Sequence, residues 1–392
     1  MTTDNLLSIT TGWQFDMRLK SSSYKRSLHF MLLFTLCFVL PFDGYAQSLP
    51  YLVKGKADKA VEQLRDSLEE ERDVKSIIPK MKRVEILGKS GKLKEANALL
   101  DEILQDFEGL EQRDKEDRKQ SLFINDKVVN IKGYDDDAME AFISRDGRYL
   151  FFNSLKTKNR SKDIFYAERI DDYNFRFKGQ VKPINTAAVE GVPTMDENGN
   201  FFYVSTHAYK PKHLVTMFKG TFNDGMVTNI TPLRAISLNK GGWLNMDSEI
   251  SADGNTLYST QSFFSRGADA PSVSYFFYAK KKGDIFEPQA DSAEIFKNIN
   301  QDKIVYGTSI SKDELELLYT RLLIDEKRIE SMRATRTNKN APFEKPEHIK
   351  AITGFSEAPA FGHNEDLIYY HKQSTSDGKF RIHALHRNKD IQ

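Results

Sequence analysis

The chain has 392 residues, 39% of them hydrophobic, which is enough for a sizeable core and indicates more than one domain. The chain has 57 lysine and arginine residues against 56 aspartate and glutamate residues, so its net charge is +1. This balance does not indicate the basic surface that nucleic-acid binding requires. Counts of 27 Phe and 16 Tyr favour β-structure over a helical bundle.

The first 46 residues have the pattern of a secretory signal peptide. A basic segment that includes Lys25 and Arg26 precedes an apolar run from Leu28 to Phe42, and small residues end the segment at Ala46. The competing interpretation is a membrane anchor, but the run is shorter than the roughly 20 residues that a spanning helix needs. We therefore predict a leader over 1–46, starting at Met1 or Met17, and no transmembrane anchor in the mature protein. The only cysteine, Cys37, would leave with the leader.

Residues 51–110 are charge-rich and have helical spacing of their apolar positions. A helix is expected from near Asp73 to Lys89, with Pro79 interrupting or bending it. The next helix has a clear apolar face that runs from Leu93 to Phe107. The segment 87–96 resembles the middle of a tetratricopeptide repeat, and a plain helical spacer is the open alternative. Residues 111–120 are almost entirely charged or amide and are predicted to form a linker or solvated helix end at the domain boundary.

From residue 121 onward one pattern recurs to the end of the chain. In Ser144 to Phe152, an Asp-Gly pair predicts a hairpin turn, and the apolar run that follows predicts a strand covered on both faces. Five such units align on this strand, at residues 142–154, 193–205, 249–259, 309–320 and 359–370. The fourth and fifth units replace the turn glycine by Glu314 and Glu365, so looser or different turns are expected there.

Each unit continues with further short strands, which is the pattern of a β-propeller blade. The last unit stops too early to contain its own outer strand. The segment 123–132 resembles the fourth strands of other units, so we predict that it completes blade five and closes the ring. The predicted fold is therefore mainly β: a five-bladed β-propeller over residues 121–392, preceded by a small helical module.

The turns and strands of these units resemble the WD-repeat-like blades of the TolB-type family, in which a Ser-Pro-Asp-Gly turn precedes an apolar strand. The proline of that turn is Arg145, Ala252 or Lys312 here. The run Ile184-Asn185-Thr186 with Glu190 is typical of such repeats in exported proteins of the Bacteroidetes, which often join them to tetratricopeptide-like helices. The resemblance implies an exported protein that is periplasmic, associated with the outer membrane or extracellular.

Carboxylates lie just upstream of the hairpins, on the strands expected to line the propeller channel. The candidates for general acid and base are Glu140, Glu190, Asp247 and Glu249, because inverting glycosidases use carboxylates about 6.5–9.5 Å apart. The alternative is that these carboxylates are structural groups that bond backbone amides or loops, or that they form a solvated acidic rim. The candidate binding residues are Glu140, Trp243, Asp247 and Glu357, and Trp243 is expected to be the most exposed of the aromatic rings near the mouth.

No cofactor or metal is predicted. His383 and His386 are three apart on a strand and so point to opposite faces, and the chain lacks a nucleophile elbow, a phosphate-binding loop and a dinucleotide fingerprint. The first functional hypothesis is a non-enzymatic scaffold of the cell envelope that binds a protein or glycan partner at the propeller mouth. The alternative is an exported glycoside hydrolase or related glycan-active enzyme that uses the carboxylates at the same mouth.

Overall fold

The structure is a computed structural model that describes residues 51–391 except 71, 157–160, 211–212, 267, 269, 325 and 327. The predicted leader over 1–46 lies outside these residues. Two compact units are present: a propeller unit of residues 125–349 and 356–387, and a helical unit whose described part is 51–124, 350–355 and 388–391. None of the described helices is long and apolar enough to cross a membrane.

The helical unit contains three helices, α1 (Tyr51–Glu69), α2 (Ile77–Lys89) and α3 (Leu93–Lys119). Their buried side chains form one core that includes Leu64, Met81 and Ile103. Pro79 does not interrupt a helix, because α2 begins at Ile77 and the proline lies in its first turn, where a missing N–H is tolerated. The charged segment 111–120, expected as a linker or helix end, continues α3 as far as Lys119.

The propeller unit is a five-bladed β-propeller built from five antiparallel four-stranded motifs. The strands of blades one and two are β3 (Met139–Ile143), β4 (Tyr149–Lys156), β5 (Ser161–Arg169) and β6 (Asn174–Gln180), then β7 (Glu190–Met195), β8 (Asn200–Ser205), β11 (Met217–Asn223) and β12 (Met226–Pro232). A short hairpin of β9 (Tyr209–Lys210) and β10 (His213–Leu214) is inserted in blade two, and a 3₁₀ turn (Arg234–Ile236) follows that blade.

Blade three contains β13 (Trp243–Ile250), β14 (Thr256–Phe263), β15 (Val273–Lys282) and β16 (Ile285–Pro288), and is followed by a one-turn helix α4 (Ser292–Ile295). Blade four contains β17 (Val305–Ile310), β18 (Glu316–Leu323), β19 (Arg328–Thr335) and β20 (Glu347–His348). Blade five contains β21 (Ser356–Phe361), β22 (Leu367–Gln373) and β23 (Phe380–Arg387). The first strands β3, β7, β13, β17 and β21 contact one another in sequence around a closed circle and are the innermost strands.

The segment 123–132, expected to complete blade five, divides between two blades. Its first part, β1 (Phe123–Val128), takes the outer position of blade five beside β23. Its second part, β2 (Asn130–Lys132), pairs in parallel with β6 of blade one. The Val129 N–H between them donates to the Ile382 carbonyl at 2.8 Å. The segment therefore links the first and last blades of the ring.

The apolar run in each second strand faces two neighbouring blades. In β4, Leu150 and Phe152 lie in the core shared with blade five, whereas Tyr149 and Phe151 lie in the core shared with blade two. Alternating side chains point to opposite faces of a strand, so a strand sandwiched between two blades needs a continuous apolar run. This explains why the second strands dominate the sequence pattern.

The serine and aspartate of the hairpin motif hold the turn in the same way in three blades. Ser144, Ser251 and Ser311 each donate through Oγ to the aspartate two residues later at 2.6 Å. Each Oγ also accepts the N–H of the residue five positions later at 2.9 Å. The expectation of different turns in blades four and five is wrong, because Glu314 (φ 60°) and Glu365 (φ 61°) adopt the left-handed conformation of Gly147 and Gly254.

Replacing Gly254 by alanine should destabilise the propeller. Its φ of 74° disfavours a side chain, and an added Cβ would overlap Oδ2 of Asp196 in blade two. We expect the free energy of unfolding to fall by about 2–4 kcal/mol, combining backbone strain with a steric clash. Gly283→Ala is the matched control, because Gly283 has a φ of 60° and open space around it. Equal urea-unfolding midpoints for the two variants would contradict the close approach of the blades at Gly254.

Candidate functional site

All five innermost strands contain a β-bulge near their amino-terminal ends. The register shifts between residues 139 and 142, 191 and 194, 245 and 248, 306 and 309, and 357 and 360. In four blades, the first residue after the last regular pair has a positive φ: Glu140 (52°), Val192 (51°), Gly307 (66°) and Ala358 (52°). Bulges redirect side chains and are common beside functional sites. Most of the candidate carboxylates lie on these bulged segments.

Glu140, on β3 of blade one, is held by two side chains from the same blade. Asn153 on β4 donates through Nδ2 to Oε2, and Lys162 on β5 forms an ion pair with Oε1. The Glu140 side chain remains 20% exposed. Its backbone N–H donates to Nδ1 of His371, on β22 of blade five, at 3.2 Å. Glu140 is therefore tied to blade five through its backbone and retains access to solvent through its carboxylate.

Glu357, on β21 of blade five, is fixed as an anion. The Tyr306 hydroxyl of blade four donates to Oε1, and Nε2 of His371 lies 3.3 Å from Oε2. Since Nδ1 of His371 accepts the Glu140 N–H, its Nε2 carries the proton and donates to Glu357. Burial raises the pKa of Glu357, but the hydrogen bonds from His371 and Tyr306 and the charge of Lys162 outweigh burial and lower the pKa overall.

Asp247, on β13 of blade three, lies in an environment that favours the protonated carboxyl, whereas the environment of Glu357 favours the anion. Burial, followed by the charges of Glu140 and Glu357, raises its pKa to about 7, while the Gly307 N–H and Lys162 oppose the shift. The residue is 5% exposed, and its Oδ2 is a buried atom that has no hydrogen-bond partner among the residues described. Its backbone is fixed by β14: the Asp247 N–H donates to Thr260 Oγ1 at 3.0 Å, and Ser259 Oγ donates to the Asp247 carbonyl at 2.7 Å.

Glu140, Asp247 and Glu357 form what we call the carboxylate cluster, with Lys162 as its cation. The charges of Glu140, Glu357 and Lys162 all act on the Asp247 carboxyl, so side chains from blades one, three and five converge on one region of the channel. One carboxyl retains a proton near neutral pH beside two that are held in ion pairs or hydrogen bonds. These environments separate the protonation states of neighbouring carboxyls, which is a feature of sites that carry out acid and base chemistry.

The other two catalytic candidates have structural partners. Glu190 is fully buried and accepts hydrogen bonds from the Thr186 N–H (2.9 Å), the Thr186 hydroxyl (2.7 Å) and the Ser205 hydroxyl (2.6 Å). Glu249 is paired with Arg145 of blade one at 2.6 Å, and Arg145 also donates to the Ile250 carbonyl at 2.8 Å. The structure therefore divides the four candidates, with Glu140 and Asp247 in the cluster and Glu190 and Glu249 outside it.

Arg145→Met should destabilise the propeller without removing any group of the carboxylate cluster. Arg145 is 12% exposed and Glu249 is 5% exposed, so the variant would leave a buried carboxylate without its cation. Breaking a buried pair from one side costs about 3–5 kcal/mol, whereas an apolar replacement of both partners is often neutral. We expect Arg145→Met to lower the midpoint of chemical unfolding and the double variant Arg145→Met/Glu249→Leu to recover most of the loss. A single variant as stable as the wild type would show that the pair is not buried as described.

Trp243 is half-buried rather than freely exposed. Its ring packs against Phe263 and Tyr275 at centroid distances of 5.4 and 5.8 Å. Tyr134 packs among three phenylalanines of blade one, so it belongs to the blade core. Of the aromatic residues near the mouth, Tyr306 has a direct partner in the cluster, since its hydroxyl donates to Glu357.

Sequence reasoning missed Asn153, Lys162 and His371. His371 lies directly opposite Glu357 in the pairing of β21 with β22. A usable signal was present, because a polar residue that ends the apolar run of a second strand faces the bulged segment of the first. In the part of the chain that the structure describes, no group of three or more His, Cys, Asp or Glu side chains is placed to hold a metal ion.

No protein-family model matches this sequence, and no curated protein matches it. Solved structures do share its propeller. A thermostable family-43 glycoside hydrolase matches over 68% of this chain and 94% of its own, at 11% identity and a TM-score of 0.45. A family 117 glycoside hydrolase from the marine bacterium Zobellia galactanivorans matches over 70% and 93%, at 12% identity and a TM-score of 0.45. The β-propeller domain of Cps50 (Swd1) from Myceliophteria thermophila matches over 64% and 66%, at 9% identity and a TM-score of 0.34.

These comparisons correct the first functional hypothesis. The similar structures are mostly glycoside hydrolases, which agrees with the alternative hypothesis of a glycan-active enzyme and disagrees with the first hypothesis of a non-enzymatic scaffold. At these identities the likeness describes the fold alone. The chemistry therefore has to be argued from the carboxylate cluster itself.

Proposed function

We propose that the protein is a glycan-active hydrolase whose catalytic centre is the carboxylate cluster. The observation that carries this proposal is the Asp247 carboxyl, which has a pKa raised to about 7 beside Glu140 and Glu357. A glycosidase needs one protonated and one ionised carboxyl at the same bond, and the two must be kept in different environments. The cluster provides both states near neutral pH.

In the proposed reaction, Asp247 is the general acid. It gives its proton to the glycosidic oxygen as the bond from that oxygen to the anomeric carbon breaks. Glu140 is the general base, because its side chain is more exposed than that of the other ionised residue of the cluster, Glu357, at 20% against 13%. It takes a proton from the water that forms the new bond to the anomeric carbon. The products are two sugar chains that together contain the atoms of one water molecule.

Glu357 has a positioning role in this proposal. Its charge is held by His371 and Tyr306 and contributes to the raised pKa of Asp247. His371 also accepts the backbone N–H of Glu140, so one imidazole orients both carboxylates. Loss of this imidazole would disturb the base, Glu140, and the positioning residue, Glu357, together.

The cellular setting belongs to the same proposal. The basic segment and apolar run before Ala46 support export, to the periplasm, the outer membrane or the exterior, where a glycan substrate would be met. The Ser-x-Asp-Gly turns support a TolB-type, WD-repeat-like origin of the blades, and the hairpin of α2 and α3 supports a tetratricopeptide-like module. The balanced charge supports a glycan partner over nucleic acid.

The test is the release of reducing ends from a panel of cell-wall polysaccharides. The wild-type protein is expected to hydrolyse at least one, and a variant with both Glu140→Gln and Asp247→Asn to be inactive. Glu249→Gln is the matched control, since Glu249 is also a carboxylate of β13 whose pKa burial raises to about 7, but it pairs with Arg145 outside the cluster. The proposal would be overturned if the wild-type protein hydrolysed none of the glycans, or if the double variant were as active as the wild type.

A further inference from the structure

The outer side of helix α2 is basic. The segment from Lys75 to Glu95, which contains α2 and the turn into α3, has seven lysine and arginine residues against two glutamates, whereas the whole chain has a net charge of +1. Four residues of α2 lie together on its exposed side, and we call them the basic face: Lys82, Arg83, Ile86 and Lys89. The hairpin of α2 and α3 adds two more exposed lysines at its tip, Lys92 and Lys94.

Ile86 lies at the centre of the basic face and is 67% exposed. A helix turns by about 100° per residue, so the three cations of the face lie within about 60° of Ile86 around the helix axis. The core residues of α2, Ile77, Met81 and Val84, lie on its opposite side. Packing inside the helical unit therefore does not account for the isoleucine, which stands in solvent among cations.

The cations of the basic face are available to an external anion. Among the residues that the structure describes, Lys82 and Arg83 form no ion pair, and Lys89 pairs with a glutamate of its own helix while its side chain stays 70% exposed. Exposed pairs of this kind are weak and are easily exchanged for another anion. Lys80, which lies on another side of α2, instead donates to two carboxylates of α3.

The spacing around Ile86 distinguishes between the kinds of anionic partner. The positions three and four residues away in both directions are Lys82, Arg83, Lys89 and Ser90. A partner helix is bound by apolar anchors that recur at this spacing, and here all four positions are polar. A free anion such as phosphate would use the cations but would gain nothing from Ile86. One apolar side chain among cations suits a lipid surface, where the cations meet the headgroups and the apolar group enters the acyl boundary.

We propose that the basic face binds the surface of a membrane that contains anionic phospholipids. Lys82, Arg83 and Lys89 contact the headgroup phosphates, and Ile86 inserts at the edge of the acyl layer. The expected leader before Ala46 would bring the chain to such a surface. This site would hold the protein at a membrane without a spanning helix, and it does not depend on the proposed hydrolase activity.

Cosedimentation with lipid vesicles tests the site. The predicted mature chain, residues 47–392, is used because the apolar leader would itself bind lipid. We expect binding to vesicles of phosphatidylcholine and phosphatidylglycerol to be at least about 10-fold tighter than binding to phosphatidylcholine alone, and to weaken at about 1 M salt, which screens the charges. Binding to neither kind of vesicle, or equal binding to both, would overturn the proposal.

Substitutions in the basic face assign the binding to its residues. Lys82→Glu/Arg83→Glu is expected to weaken binding to the anionic vesicles about 30-fold, since each surface cation contributes roughly 5-fold. Ile86→Ser should weaken binding about 5- to 20-fold and leave its salt dependence unchanged, because it removes only the apolar contact. The matched control is Lys280→Glu/Lys281→Glu, which makes the same charge change on exposed lysines of β15 and should bind like the wild type. Wild-type affinity in the first variant, or an equal loss in the control, would overturn the proposal.

Two further measurements distinguish a lipid surface from other anions. Inorganic phosphate, at the concentration of the lipid phosphate, should leave most of the protein on the anionic vesicles, because it offers no contact to Ile86. Full displacement by phosphate would assign the cations to a free anion, and binding to polyglutamate without binding to vesicles would assign them to an acidic protein. Either result would overturn the lipid site. Hydrolysis of soluble glycans by Lys82→Glu/Arg83→Glu should equal that of the wild type, so failure of the membrane site and failure of the proposed function are separate outcomes.

Discussion

Replacing Asp247 by asparagine is expected to lower kcat/KM on an unactivated glycan by about 10²- to 10⁴-fold, the usual contribution of a general acid. The amide keeps the shape of the side chain but cannot give a proton to the leaving oxygen. An aryl glycoside whose leaving group is stable as an anion needs little protonation, so the same variant should lose much less activity on it. Parallel kinetic assays on the two substrates measure this difference. Equal losses on both would contradict the assignment of Asp247 as the acid.

Stability provides a control for this variant. Because the folded-state pKa of Asp247 is raised to about 7 from an unfolded value near 4, the folded protein must hold an unfavourable charge once the pH exceeds 7. The contribution of Asp247 to stability is therefore fully present below about pH 4 and is lost as the pH rises through about 7. Asp247→Asn should be more stable relative to the wild type at pH 8 than at pH 5. Urea unfolding at the two pH values also shows whether the inactive variant is folded.

Glu140→Ala is expected to lower kcat by about 10²- to 10⁴-fold, because no group then accepts the proton of the attacking water. Added azide should restore part of the activity, since it is a nucleophile that needs no base and fits the space left by the side chain. The product would be a glycosyl azide, which mass spectrometry identifies. Glu357→Ala is the matched comparison, because a positioning residue gives no azide product. An azide product from Glu357→Ala and none from Glu140→Ala would show that Glu357 is the general base and Glu140 the positioning residue.

The sequence was sufficient for the fold because the signals of the propeller are local. Ser144, Asp146 and Gly147 specify a turn within a few residues, and the run that follows records burial on both faces of β4. Because the unit recurs five times, the number of blades could be predicted from the sequence. The division of residues 123–132 between blades five and one was not foreseen, because β2 pairs in parallel with β6, more than 40 residues later in the chain, and no local pattern indicates that contact.

The site was only partly predictable, because its residues meet through the closure of the ring. Glu140, Asp247 and Glu357 could be named as acidic residues upstream of hairpins. The sequence could not show that Glu190 and Glu249 lie outside the cluster, because this depends on their partners in other strands and blades, Ser205 and Arg145. Lys162 also lies outside the repeated motif, at the polar start of a third strand between Ser161 and Asp163, where the sequence gives no sign of a contact with Glu140.

The pH dependence of kcat/KM is the measurement that tests the catalytic role of the carboxylate cluster most directly. We predict an alkaline limb near pH 7 in the wild type, from ionisation of Asp247. Glu357→Gln removes a charge that raises this pKa and should move the limb to lower pH, whereas Lys162→Met removes a charge that lowers it and should move the limb to higher pH. A profile that stays flat to pH 9, or a limb that neither variant moves, would contradict a catalytic role for the Asp247 carboxyl.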